Sequence, residues 1–441
     1  MKRDSVRPAC RPNLLLIGLD ALRADHLGCY GHPLCLTPNM DMLATRGVIF
    51  ARAISCSPTA GASHVSIMTG AYPMRHRVVD TSGVIPDELL MLAQVCQASG
   101  YETAAIVSTP MLAPDYLTGI DRGFGSYHQE PPSGGKGGDA AATTEVVLQW
   151  LAQRHDRPFF LWIHIFEPHG PYRVDPELLA PIGDLPRWNE EPAELPVLEG
   201  LFGVGGIPSY QVLGEERNPA RYRARYAARV AYADRHLGRI MTTLEETGLA
   251  SDTVTVLTAD HGELLGEHNC CFEHSTRLFQ PVLHVPLLTA GPGLPAGVRV
   301  GNCVSHADLA PTLLELLGLA GRGPTEQFQG NVLLPLVRGV REAVPTPRFA
   351  VCNFPEEWCV VLGRKKYTLH GGTNDAPGTL VDLEEDPGEQ VDLSPQEPAL
   401  TAQLRRLVLQ AVRSAPGIMG ATPPPPPNEE HRRQLEALGY L

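Results

Sequence analysis

No apolar run in this chain approaches the ~20 residues needed to cross a bilayer, so a membrane-embedded protein is not expected. No basic run or stripe stands out, and the formal net charge is -13 over 441 residues. Both facts argue against a nucleic-acid partner. The ten cysteines include no Cys-x-x-Cys pairing. In a chain of this size they read as reduced thiols. The basic start Met1-Lys2-Arg3 precedes an apolar run at 14–19 that stops at Asp20 with no small-residue cleavage site. A secretion leader is therefore not expected, and the expected compartment is the cytoplasm. Internal repeats are also missing. What remains, 43% hydrophobic and 19% charged residues, is the composition of a folded globular protein.

Strand and helix patterns alternate, which predicts an α/β sandwich with a mostly parallel central sheet. Continuous apolar runs predict buried strands at 13–19, 48–54, 103–107, 159–165 and 253–258. Helical spacing predicts helices over 37–46, 86–98, 143–153 and 221–247. After about residue 345 the pattern changes to short strands at 349–353, 358–362, 366–369 and 379–383, then a helix at 398–414. The expected organisation is an α/β catalytic domain at 1–345, a small antiparallel α+β subdomain at 346–420, and a polyproline spacer with a terminal helix at 421–441. Residues 128–139 read as a surface loop. The stretch 170–216, rich in Pro, Gly, Glu and Trp, follows a strand end and reads as a substrate-facing lid.

Chemistry-bearing side chains fall just past predicted strand ends, where open α/β sheets place their ligands. Asp20 follows one strand, and Asp260 with His261 follows another. Two carboxylates and an imidazole drawn from distant segments suit a divalent cation. By placement alone, Asp20 and Asp260 also suit helix caps. Residues 57–70 read as a loop feeding a short helix, a site whose free N–H groups and dipole favour an anion.

The run Leu19-Asp20-Ala21-Leu22-Arg23-Ala24-Asp25-His26 through Gly31 resembles the first signature of the sulfatase family, within the alkaline-phosphatase-like superfamily. Thr258-Ala259-Asp260-His261-Gly262-Glu263 through His268 resembles that family's second, metal-binding signature. Lesser matches, at Thr37-Pro38-Asn39, His164–His169, Val285-Pro286-Leu287 and Asp308–Thr312, occur in the family's order. The resemblance implies one divalent ion on Asp20, Asp260 and His261, with calcium favoured and magnesium or manganese open. It also implies that His169 and His274 face the transferred group and leaving oxygen. His64, in the first helical turn, stands where many members carry arginine, and a cation there would orient the anion.

The resemblance also puts the nucleophile nine residues before Thr69, and that position is Ala60. Three readings stay open. Thr59 is the nucleophile after a one-residue shift, with Gly61 supplying the freedom. Alternatively Cys56 is, since Cys56-Ser57-Pro58-Thr59-Ala60 mimics the cysteine motif of other members without its arginine. Or the nucleophile is lost and the protein is a pseudoenzyme or relies on metal-bound water. The leading expectation is a hydrolase of sulfate esters acting on a small anionic ester. A phosphodiesterase, a phosphonate hydrolase and a threonine-dependent phosphotransferase of the same fold are the alternatives. Oligomeric state is left open.

Overall fold

A computed structural model of the chain describes residues 11–129, 139–153, 155–183, 194–200, 202–340, 342, 345–354, 356–418, 429, 432 and 433. The spacer expected at 423–427, most of the helix expected at 429–438, and most of the loop at 128–139 lie outside these residues.

Nine strands form the central sheet: β1 (Asn13–Leu19), β2 (Val48–Ile54), β3 (Glu102–Val107), β4 (Ser126–Gln129), β5 (Phe159–Ile165), β6 (Thr253–Ala259), β7 (His284–Val285), β8 (Leu287–Ala290) and β9 (Val298–Ser305). Their order is β7-β2-β8-β6-β1-β5-β3-β4, with β9 beside β2. The middle of the sheet, β6-β1-β5-β3, is parallel, while β8 and β7 run antiparallel to their neighbours. Strands β1, β5 and β6 are buried at every position. That is why they read as unbroken apolar runs rather than as alternation. Their registers align Leu19 with both Ile165 and Ala259, so these strands end at one level.

Helices cover the sheet. They include α1 (Pro38–Thr45), α2 (Ala60–Thr69), α3 (Leu92–Ala98), α4 (Ala140–Leu151) and α5 (Pro219–Glu246). The start of α5 is fixed by Asn218, whose side chain accepts a hydrogen bond from the Ala220 N–H, with Pro219 in the first turn. Tyr222, Tyr226, Val230, Ala233, Leu237, Ile240 and Leu244 form its buried stripe at helical spacing.

One helix is shorter than its sequence pattern suggests. The expected helix at 86–98 begins only at Leu92. The Arg122 guanidinium takes the carbonyls of Pro86 and Leu89, so this segment is held as turns.

Beyond the main sheet, β10 (Arg348–Cys352), β11 (Glu357–Leu362), β12 (Lys365–His370) and β13 (Gly378–Asp382) form an antiparallel meander. The helix α6 (Pro398–Ser414) packs on it. An apolar cluster of Cys56, Tyr72, Val351, Trp358 and Leu404 joins this sheet to the approach to α2. A fully buried ion pair, Arg348 Nη1 to Asp308 Oδ1 at 2.9 Å, crosses the same boundary. No helix among the described residues is long and apolar enough to cross a membrane.

Candidate active site

The level ends of β1 and β6 set Asp20 and Asp260 side by side. The Asp20 N–H donates to the Ile165 carbonyl at 2.9 Å, and the Asp260 N–H donates to Leu19 at 3.4 Å. His261 Nδ1 donates to its neighbour Gly262 O at 2.9 Å, which leaves Nε2 with its lone pair. That nitrogen lies 3.6 Å from Asp20 Oδ1 and 3.8 Å from Asp260 Oδ2. Asp260 Oδ1 is occupied by the backbone N–H groups of Ala21 and His261, at 3.2 and 2.8 Å. Asp260 Oδ2 and Asp20 Oδ1 have no protein partner.

Two further imidazoles close the set. His164, on β5, holds Nε2 3.6 Å from Asp20 Oδ2 and 3.8 Å from Asp260 Oδ2. Its Nδ1 lies 3.4 Å from Ser108 Oγ. His64 donates Nδ1–H to Ala60 O at 2.9 Å, which leaves its Nε2 without a partner. The groups Asp20–Asp260–His261 and His64–His164–Asp260 each bring donor atoms within 4.8 Å of one another.

Electrostatics favour the same reading. Burial, reinforced by Asp260, Glu263 and Glu167, pushes Asp20 well above the usual carboxylate range. Burial would raise Asp260 too, but His261, His164 and His64 hold it well below that range. Buried like charges with unpartnered lone pairs are costly unless a cation neutralises them. The donor set fits a divalent metal ion.

The helix α2 lies over this pocket, and its first turn is held by named contacts. Ser63 Oγ donates to the Asp260 carbonyl at 2.6 Å and lies 2.9 Å from His306 Nδ1. The Ala62 N–H donates to Asp80 O at 3.1 Å. Gly61 is required here for a close approach. A Cβ on it would stand 2.3 Å from the Thr81 carbonyl. Sequence reasoning gave Gly61 a different job, freedom for the loop to slip by one residue. Instead it sits inside α2, pressed against the 80–81 backbone.

Thr59 is the N-cap residue, with extended backbone (φ -123°, ψ 141°), and Ala60 is the first helical residue. The Thr59 hydroxyl lies 3.1 Å from Ser57 Oγ. Among the described residues no hydrogen bond joins Thr59 to Asp20, Asp260 or His261. It does line a cavity of about 250 Å³ whose wall also includes His274.

From that cavity a row of imidazoles leads to the candidate metal ligands. The rings of His274 and His261 stack at 4.2 Å between centroids, and His169 meets His274 at 5.0 Å. Burial holds both His274 and His169 well below the usual histidine range, helped respectively by His261 and by His274. Glu263 lies beneath them, with Oε2 3.6 Å from His274 Nδ1. Burial pushes its carboxyl up to about 8.

Several expectations change at this point. His64 does not stand as a cation, because burial lowers it to about 4 despite the Asp260 charge. Its neutral ring keeps Nδ1 3.9 Å from Asp260 Oδ2, while Nε2 lies beside Gly18. Cys56 is buried in the apolar cluster shared with the C-terminal sheet, and burial pushes its thiol up to about 12. That is the surrounding of a structural cysteine rather than a nucleophile. His164 and Glu263 were missed as site residues, although both lie within matched motifs. The available signal for His164 was an imidazole in an otherwise apolar buried strand, opposite the side-chain-free Gly18. A Cβ at Gly18 would stand 3.3 Å from His64 Nε2.

Comparison with known proteins bears on the same segments. The sulfatase family model matches residues 12–319. A choline-sulfatase of Rhizobium meliloti is 26% identical over 434 residues, covering 87% of this chain and 82% of that protein. Human (Homo sapiens) iduronate 2-sulfatase is 27% identical over 406 residues, covering 79% and 72%. The crystal structure of a phosphonate monoester hydrolase of Agrobacterium radiobacter superposes with a TM-score of 0.76 at 23% identity, covering 92% and 96%, which shows a shared fold. The family match runs through β1, α2, β5 and β6, the elements that assemble this pocket, and the chain belongs to the sulfatase family.

Proposed function

We propose that this sulfatase-like hydrolase cleaves sulfate esters with one divalent ion held by Asp20, Asp260 and His261. The observation that carries this reading is the cluster of buried donor atoms without protein partners under the start of α2. When bound, the ion supplies positive charge that stabilises the ester's non-bridging oxygens. The imidazoles of His261 and His164 argue for manganese ahead of the calcium that carboxylates alone would favour. Nine described cysteines are unpaired, in keeping with a reducing compartment such as the cytoplasm.

The chain's own residues divide the work. Thr59 is the proposed nucleophile, because its hydroxyl is in the cavity wall at a helix N-terminus. Its Oγ1 bonds to sulfur as the bond from sulfur to the leaving oxygen breaks, the hydroxyl proton passing to that oxygen to release the alcohol. Water then cleaves the S–Oγ1 bond, restoring the threonine hydroxyl and releasing hydrogen sulfate. His274, at the junction of cavity and ligands, donates an N–H hydrogen bond to the leaving oxygen, with His169 packed behind it. Neutral His64 holds the helix start through Ala60 O. The test is turnover of an aryl sulfate against an aryl phosphate with added calcium, magnesium or manganese. Sulfate turnover that depends on the ion supports the reading, and phosphate turnover alone overturns it. Thr59→Ala is expected to lower kcat at least ~1000-fold. Survival of activity removes Thr59 as nucleophile.

A second reading draws on the Thr59–Ser57 contact, which engages the Thr59 hydroxyl with a neighbouring serine. In it the protein keeps the metal set but not the nucleophile. Metal binding with no turnover of either ester supports it.

A further inference from the structure

The cavity beside Thr59 has an unusual wall for a site that handles anions. Two carboxylates, Asp80 and Glu273, face it along with the aromatic rings of Tyr116, Phe202, Tyr210 and Phe354. None of its lining residues is lysine or arginine. Phe202, from the 170–216 stretch, and Phe354, from the loop after β10, stack at 5.6 Å between centroids with an interplanar angle of 24°. Phe354 is 66% exposed and Phe202 39% exposed, so this aromatic pair forms an open rim rather than part of the core.

The two carboxylates differ in their surroundings. Asp80 is exposed, and its oxygens accept from the Thr81 N–H at 2.7 Å and from Asn353 Nδ2 at 3.3 Å. Glu273 is 1% exposed. Its Oε1 accepts from Thr276, but Oε2 has no partner. No salt bridge among the described residues neutralises either one. A buried carboxylate oxygen without a partner beside a cavity is costly unless a ligand's charge answers it. Aromatic faces attract a cation, and more strongly where water is excluded.

Resting on the sulfate-ester reading above, we infer that this cavity selects a substrate whose leaving group carries a small organic cation. The cation is an alkylammonium or quaternary ammonium, held between the Phe202–Phe354 rim and the carboxylates of Glu273 and Asp80. The anionic sulfate then lies towards Thr59 and His274, and the cationic end lies towards the acidic wall, so one small molecule satisfies both ends. A cavity of about 250 Å³ is below the ~300 Å³ lower range for drug-sized ligands, which suits a short aliphatic ester. Polyanionic sulfated sugars meet no cationic side chain in this wall. Burial, with the Glu263 charge, raises Glu273 to about 7 against the pull of Thr276, Cys270 and Arg277, and a bound cation adds opposite charge on the cavity side.

The experiment uses the full chain with saturating manganese. It compares choline sulfate with its uncharged isostere, in which tert-butyl replaces trimethylammonium, and with a neutral aryl sulfate. In parallel, calorimetry measures binding of choline itself to wild type, Glu273→Gln and Phe354→Ala. The expected kcat/KM is at least tenfold higher for choline sulfate than for the isostere. Glu273→Gln should abolish that preference, Phe354→Ala should reduce it, and both should weaken choline binding. Equal kcat/KM for the two aliphatic esters, with the aryl sulfate turned over, overturns the cation pocket and leaves the hydrolase reading standing. Choline binding that weakens in Glu273→Gln, with no ester turned over, keeps the pocket and overturns the hydrolase reading. Absence of both binding and turnover overturns the pocket.

Discussion

His76 offers a test of how α2 is seated, and its magnitude follows from its surroundings. The ring is fully buried, its Nε2 lies 2.9 Å from Ser66 Oγ on α2, and the Val78 N–H donates to its Nδ1 at 3.2 Å. Nδ1 must therefore be the acceptor, and a proton added there would confront an N–H. Burial lowers this histidine to about 3. A native-state pKa depressed below the unfolded value of about 6.5 gives stability that is present above pH 6.5 and lost as pH falls towards 3. Between about pH 7.5 and pH 5 the unfolded chain gains the proton and the native chain does not, at a cost of about 2 kcal/mol. His76→Gln keeps a donor and an acceptor but removes the titration. Urea unfolding of wild type and variant, in chelator at constant ionic strength, measures the effect. The stability advantage of wild type over the variant should shrink by about 2 kcal/mol from about pH 7.5 to about pH 5. An advantage that stays constant within ~0.5 kcal/mol would refute the reasoning.

Other outcomes can be checked on the same footing. Adding manganese at about 100 times its Kd should stabilise the metal-free chain by about 2.7 kcal/mol, seen as a higher Tm in scanning calorimetry. Asp20→Asn should remove most of that gain, and an unchanged gain would place the ion elsewhere. Gly61→Ala, a change that normally favours a helix by ~1 kcal/mol, should here destabilise by about 2 kcal/mol, because its Cβ meets the Thr81 carbonyl at 2.3 Å. It should also lower ester turnover, since α2 must shift. Arg348→Met strands the buried Asp308 carboxylate and should cost about 3–5 kcal/mol in urea unfolding.

The sheet was readable from sequence because its central strands are buried on both faces. Asn13–Leu19 and Phe159–Ile165 have no polar alternation to confuse their edges. The meeting of Asp20, Asp260 and His261 was readable because all three stand just past the ends of such runs. His164 was hidden for the same reason, since an imidazole inside Phe159–Ile165 reads as core until Asp20 and Asp260 arrive beside it. The shortened helix at 86–98 depends on Arg122, more than twenty residues away, which no local spacing reports. The charge state of His64 depends on complete burial, which sequence position in a first helical turn does not give.

The stacked Phe202–Phe354 rim belongs to two loops that supply no candidate metal ligand, whereas the candidate donors come from strand β5, strand ends and α2. On the proposed reading, reactivity and selectivity are therefore carried by separate segments of this molecule. Drift in the rim loops can trade one leaving group for another while the ligands beneath stay fixed, which makes the rim the natural place for a library that seeks new substrates.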